Sequence, residues 1–126
     1  MEFRKLLYYF AHPYTGYGET KQEIEEANFR LCSVRTARLV ESGYAVFSPI
    51  IHSHPVETSS PVILAMEKTE RHALMMQLDF IIISRTNFDG IILAPNWQYS
   101  KGCTMEHKKF MELNKPVLLY NEIVHG

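Results

Sequence analysis

Cysteine is scarce in this chain. Cys32 and Cys103, two among 126 residues, supply neither a disulfide framework nor a zinc quartet. A surplus of one charge is also missing: thirteen lysines and arginines face fourteen aspartates and glutamates, a formal net charge of -1. With no basic excess, nothing points to a nucleic-acid partner. No run of about 18 apolar residues occurs, so no spanning helix and no membrane partner are expected. The opening segment MEFRKLLYYFAHP has too short an apolar run for a secretory signal, and a small-residue cleavage site is lacking. A reduced, cytoplasmic setting is the expectation. Neither the G-x-G-x-x-G dinucleotide fingerprint nor the P-loop is present, which disfavours NAD and ATP-motor chemistry. Repeats, linkers and low-complexity runs are absent as well. What remains is an ordinary globular composition, 46% hydrophobic and 21% charged, in a length that suits one domain over residues 1–126.

The pattern along the chain alternates. Leu6 to Ala11 (LLYYFA) is apolar without alternation, as in a strand buried on both faces, and His12-Pro13 ends it. A helix is predicted from about Lys21 to Ser42, where Ile24, Ala27, Leu31, Val34 and Ala37 recur at spacings of three and four. Gly43 is its cap. Tyr44 to Ser48 reads as a second strand, and Pro49 to Ser59 as an irregular loop. Ser60-Pro61 looks like an N-cap with proline at the first helical position, opening a helix through MEKTERHALMM and on through Phe80 to Ile83. Gly90 to Ala94 (GIILA) is a third strand, followed by the loop NWQYSKGC. A helix from Thr104 to Leu113, with Asn114 as cap, and a strand from Val117 to Tyr120 complete the order. Strand–helix alternation with buried strands predicts a small doubly wound, flavodoxin- or Rossmann-like α/β sandwich with four to five parallel strands. Ligands of such folds lie beyond the C-terminal strand ends. Three loops gather there: His12 to Gly18, with Tyr14 and Gly16, then Pro49 to Ser59, and Pro95 to Cys103.

Several residues there can carry chemistry. In PNWQYSKGCTME the chain leaves a strand and enters a helix, whose unpaired N–H groups suit an anion. Ser100 adds a hydroxyl, Lys101 a charge, and Gly102 a close approach of the backbone; a polar turn with no ligand fits equally. Glu106 would complement the helix dipole or serve as a nucleophile or base, and position alone favours the dipole role. Asp79, between Leu78 and Phe80, would carry a raised pKa and act as a general acid if buried; an exposed helix position is the plainer reading. Asp89, before a strand, is read as a turn or capping residue. His52-x-His54, with His12, is weak support for a metal. A substrate contact is favoured over that, and a solvated loop over both. No metal or cofactor is expected. Trp97 could stack on a planar base. Cys103, near a helix start with only His107 beside it, makes a poor case for a Cys-His hydrolase.

YYFAHPYTG at the first strand, Asp79 about ten residues before DGIILAP, and SKGCTME together resemble the nucleoside 2-deoxyribosyltransferase superfamily over nearly the whole chain. The closest likeness is to its small nucleoside 5'-monophosphate N-glycoside hydrolases, which include 2'-deoxynucleoside 5'-phosphate N-hydrolases and CMP hydrolases of nucleoside antibiotic pathways. The resemblance implies Glu106 as nucleophile on the anomeric carbon. It also implies Asp79 as the acid assisting departure of the base, and Tyr9 as the group orienting Glu106. At the position of Ser100 the transferases carry an aspartate that holds a free 5'-hydroxyl, while the nucleotide hydrolases carry a phosphate-binding serine. A hydroxyl beside helix N–H groups welcomes a phosphate dianion that an aspartate would repel. The hydrolases often have an arginine in the first loop. This chain has His12-Pro13-Tyr14-Thr15-Gly16 instead, so His52, His54 or Lys101 would replace that charge.

The resemblance thus implies an N-glycosidase that releases free base and sugar 5-phosphate from a (deoxy)nucleoside 5'-monophosphate, in a homodimer or higher homo-oligomer whose neighbour often completes the site. The alternatives are a 2-deoxyribosyltransferase, a nucleotide-binding module without turnover, and a distant likeness of GCTME to the cytokinin-activating phosphoribohydrolases, whose PGG segment is missing here.

Overall fold

The computed structural model describes residues 2–15 and 21–125. Four strands, β1 (Leu7–Ala11), β2 (Ala45–Phe47), β3 (Gly90–Leu93) and β4 (Val117–Leu119), form one sheet in the order β2-β1-β3-β4. Every pairing is parallel. The helices are α1 (Lys21–Glu41), α2 (Pro49–Thr58), α3 (Pro61–Leu64), α4 (Lys68–Arg85), α5 (Lys101–Glu112) and α6 (Tyr120–Ile123). A 3-10 turn, Trp97–Tyr99, precedes α5. The expected doubly wound α/β sandwich is present, with four strands.

Successive strand residues point to opposite faces. Tyr8, Phe10 and Ile92 therefore pack with Cys32 and Leu39 of α1 and with Tyr120 of α6. Tyr9, Ala11, Ile91 and Leu93 pack on the other side with Ile83 of α4 and with Cys103 and Phe110 of α5. Both faces are covered, which is why YYFA and GIIL show no polar alternation. The chain steps from β1 out to β2, then crosses back to β3 on the other side of β1. That reversal opens a crevice at the C-terminal ends of β1 and β3.

Three expectations are corrected. Pro49 to Ser59 is not a loop: Ser48 Oγ accepts from the Ile51 N–H, Pro49 takes the first helical position, and α2 follows. The helix after Ser60 breaks at Ala65, and α4 starts afresh after Glu67. The last long helix begins three residues early, at Lys101, because Ser100 Oγ caps it through the Cys103 N–H at 3.2 Å.

A fourth correction concerns α1. Its apolar stripe, Ile24, Leu31 and Val34, faces outward, with Val34 55% exposed. Glu25, Cys32 and Leu39 face the protein instead. The ends of the elements follow the sequence more closely. Gly43, at φ 87°, and Asn114, at φ 55°, take the left-handed turns that end α1 and α5. Asp89 is the turn residue expected, its Oδ2 accepting from the Leu7 N–H at 2.8 Å.

Gly90 is fixed by space. A Cβ there would lie 2.6 Å from the Pro116 carbonyl oxygen and 3.0 Å from the Tyr8 ring. The Pro116 oxygen is held in place, since it accepts from the Ile91 N–H. Gly90→Ala is expected to lower stability by about 1–3 kcal/mol, as overpacking does. The urea midpoint checks this; an unchanged midpoint would show that β3 and β4 can part without loss.

Candidate functional site

The crevice opens into a cavity at the C-terminal ends of β1 and β3. β1 delivers Tyr9 beneath it and His12 to its rim; α5 delivers Ser100 at its cap, then Gly102 and Glu106; α4 delivers Lys68, Arg71, His72 and Asp79. Glu25 of α1 and Glu57 of α2 close the far wall.

Glu106 is buried in the second turn of α5, 5% exposed. It does not serve as a surface complement to the dipole. The Tyr9 hydroxyl donates to its Oε2. Burial, followed by the charge of Asp79, raises the Glu106 carboxyl to about 8, while the Tyr9 hydrogen bond pulls it back. Asp79 is buried too. Burial, followed by the charge of Glu57, lifts it to about 7. The Tyr9 phenol is raised well above its ordinary value, first by burial and then by the charges of Glu106 and Asp79, so it remains a donor. Two buried acids with raised pKa values and an aimed phenol form the arrangement in which a nucleophile and a proton donor work near neutral pH.

The start of α5 offers the opposite environment. The Cys103 N–H is used by Ser100 Oγ, but the first two amides of a helix have no intrahelical partner. Ser100 keeps its own hydroxyl proton to donate. A Cβ on Gly102 would lie 3.8 Å from His72 Nε2, which places the imidazole beside the helix start. His72 is held below its ordinary value by burial, then by Lys101 and Lys68. An anion seated there would favour the imidazolium. The far wall has its own ion cluster: Arg71 Nη2 lies 3.1 Å from both oxygens of Glu25, and Nε lies 3.8 Å from Glu57 Oε1.

Tyr9, Asp79, Glu106, Ser100, Gly102, His12 and Tyr14 converge on the cavity. His12 is neutral in function: burial lowers it to about 4, Nδ1 lies 2.8 Å from the Pro13 carbonyl, and Nε2 faces Arg35 Nη1 at 3.0 Å. His54 is buried between the Tyr14 hydroxyl and Glu26 and stacks on Phe29, outside the cavity lining. His52 is exposed against Phe47, and Trp97 leans on His107 at 4.7 Å; neither lines the cavity. Lys101 is exposed and acts on the site only through its charge on His72. Gly16 lies outside the described residues. Among the described residues no three His, Cys, Asp or Glu side chains group to hold a metal ion. Lys68 and His72 line the cavity, whereas His52 and His54 do not.

Fold and cavity define a parallel α/β domain with an acidic site at the carboxyl edge of its sheet. The family model described as Domain of unknown function (DUF1937) matches residues 6–122, and the chain belongs to that family. No curated protein matches the chain. Among the described residues no helix is long and apolar enough to cross a membrane.

The raised carboxyls set the sign of one pH effect. Unfolded, Asp79 ionises near 4, whereas folded it keeps its proton to about 7. Between those values the unfolded chain binds fewer protons, so this group's contribution is complete below about 4 and lost as pH rises through about 7. His12, held neutral, works in the other direction between about 4 and 6.5. Comparing variants therefore isolates Asp79. The gain in unfolding free energy of Asp79→Asn over the parent, read from urea titrations, is expected to be near zero at pH 4 and to grow to roughly 1–3 kcal/mol at pH 8. A pH-independent difference would contradict the burial of an ionisable group at that position.

Proposed function

We propose that the protein is an N-glycosidase of nucleoside 5'-monophosphates, with Glu106 as nucleophile. The observation that carries this reading is Glu106 itself: an acid buried on α5, aimed by the Tyr9 hydroxyl, sharing a cavity with a second buried acid. The resemblance of SKGCTME to the nucleotide hydrolases supports it, as does the anion-friendly start of the same helix.

Glu106 lies six residues after Ser100, about 9 Å along the helix axis at 1.5 Å per residue. A phosphate on the Ser100 hydroxyl, the free α5 amides, Lys68 and His72 would bring the attached pentose over the carboxylate. Glu106 then attacks C1', the C1'–N bond breaks, and Asp79 gives its proton to the departing base. The positive charge developing on the sugar is stabilised by the carboxylate beneath it. In the second step water attacks C1' and displaces Glu106. The water proton passes to Asp79, which is now a carboxylate, as microscopic reversibility requires. A deoxyribose eases both steps, since no 2'-hydroxyl withdraws electrons.

Ser100 favours a phosphorylated substrate, and water as acceptor, over the transferase reading. Self-association is supported by the outward stripe of Ile24, Leu31 and Val34, which neighbours Glu25 of the cavity wall.

Chromatography of a nucleoside 5'-monophosphate panel is expected to show free base and no new nucleoside when a second base is added. Glu106→Ala should reduce the rate by roughly 10³-fold or more. Binding without base release, or activity that survives Glu106→Ala, would overturn the reading.

The working form has Asp79 protonated and Glu106 ionised, the less populated of the two one-proton states, because Glu106 is raised to about 8 and Asp79 to about 7. The pair loses one proton near 7 and the next near 8. A plot of kcat/KM against pH should therefore be bell-shaped with its maximum between about 7 and 8. The basic limb should disappear in Asp79→Asn, and a flat profile in the parent protein would remove the two-acid mechanism.

A further inference from the structure

Glu57 has no task in the mechanism above, and among the described residues of the cavity wall it carries the one unmatched buried side-chain acceptor. It is 4% exposed. Oε1 lies near Arg71 Nε, but Oε2 is buried and accepts no hydrogen bond from any described residue. Two donors, Arg71 and Tyr14, lie near it. Arg71 Nη2 is divided between the two oxygens of Glu25. The Tyr14 hydroxyl, with its single proton, lies 2.7 Å from His54 Nδ1. In the tautomer with the His54 proton on Nε2, facing Glu26 Oε2 at 2.7 Å, Nδ1 accepts the Tyr14 proton; the Tyr14 hydroxyl also bears on the buried Glu57 carboxyl. An unmatched buried acceptor opposes folding unless something donates to it.

Position in the cavity says what that donor belongs to. Ser100, Gly102 and His72 occupy one end, and Glu106 follows along α5. Asp79 comes next, close enough for its charge to act on Glu106. Glu57 lies beyond it, close enough to act in turn on Asp79. A nucleotide laid with phosphate on the first group and C1' over Glu106 places its base beside Asp79 and extends it toward Glu57.

We propose that Glu57 Oε2 reads the base, accepting a hydrogen bond from an N–H on the edge remote from the sugar. The substrate class is therefore nucleotides whose base offers an N–H donor there. This rests on the N-glycosidase reading for the direction of the ligand. A base without the donor turns a lone pair or a methyl group toward Oε2 and leaves that oxygen unpaired, the kind of mismatch that hydrogen-bonding sites reject strongly.

The test compares matched pairs: thymidine 5'-monophosphate with its N3-methyl derivative, and deoxyadenosine 5'-monophosphate with the purine deoxyriboside monophosphate that lacks the amino group. Base release and thermal shift are both read. The donor-bearing member of at least one pair is expected to be favoured roughly 100-fold or more in kcat/KM. In Glu57→Gln the ratio should collapse to a few-fold, because the amide can turn its NH₂ toward a ring nitrogen. Base release at equal rates within both pairs overturns the role of Glu57 and leaves the glycosidase standing. Thermal-shift discrimination without base release overturns the glycosidase and supports the role of Glu57. No binding to any of the four overturns both.

Discussion

A carboxyl group taken out of water must keep its proton or find a partner. This constraint organises the molecule. Four acids, Glu25, Glu57, Asp79 and Glu106, are buried around one cavity. Each is accommodated differently. Arg71 holds Glu25 through both oxygens and leans toward Glu57; Tyr9 donates to Glu106; Asp79 retains its proton to about neutral pH. The strands and helices around them supply rigidity. Tyr9 is locked among Phe47, Phe88 and Phe110, so the hydroxyl that reaches Glu106 has little freedom to turn elsewhere.

The same principle explains what could be read from the sequence. The strands were legible because their side chains meet apolar neighbours on both faces, and a run such as YYFA or GIIL has few other uses. The helical stretch through Phe80 to Ile83 was legible too, as the C-terminal part of α4. α2 was not. Its inward residues are Ile50, Ser53, His54 and Glu57, at the spacing of a helix but mostly polar: Ser53 and Glu57 front the cavity, and His54 packs between Tyr14, Phe29 and Glu26. A search for apolar periodicity passes over such a face. α1 misled for the converse reason: its apolar stripe faces outward, and Glu25, Asn28 and Cys32 turn in or toward the wall.

Glu25, Glu57, Arg71 and His72 went unnoticed on the same grounds. No single residue among them is unusual, and only the fold brings α1, α2 and α4 together. One signal was available, since Glu57 and Ser53 repeat the helical spacing of Ile50 after a Ser-Pro start. Ser100, Asp79 and Glu106 were candidates from residue type and position, while Tyr9's role and the choice among the others' roles came through a resemblance between short motifs. Position alone would have left Glu106 as an ornament of the helix dipole, and its burial argues against that. The first-loop histidine proved to be held neutral by burial and, after it, by the charge of Arg35.

Tyr8 and Tyr9 are adjacent and chemically identical, yet they belong to opposite sides of the sheet. Only the pairing of Tyr9 with Ile91 and Phe47 determines which of the two hydroxyls meets Glu106. Sliding β1 by one position would present the wrong phenol and carry the right one to the α1 side. The alignment of a five-residue ribbon thus doubles as the alignment of the reacting groups, and any error in strand docking during folding would be silent in composition but fatal to chemistry.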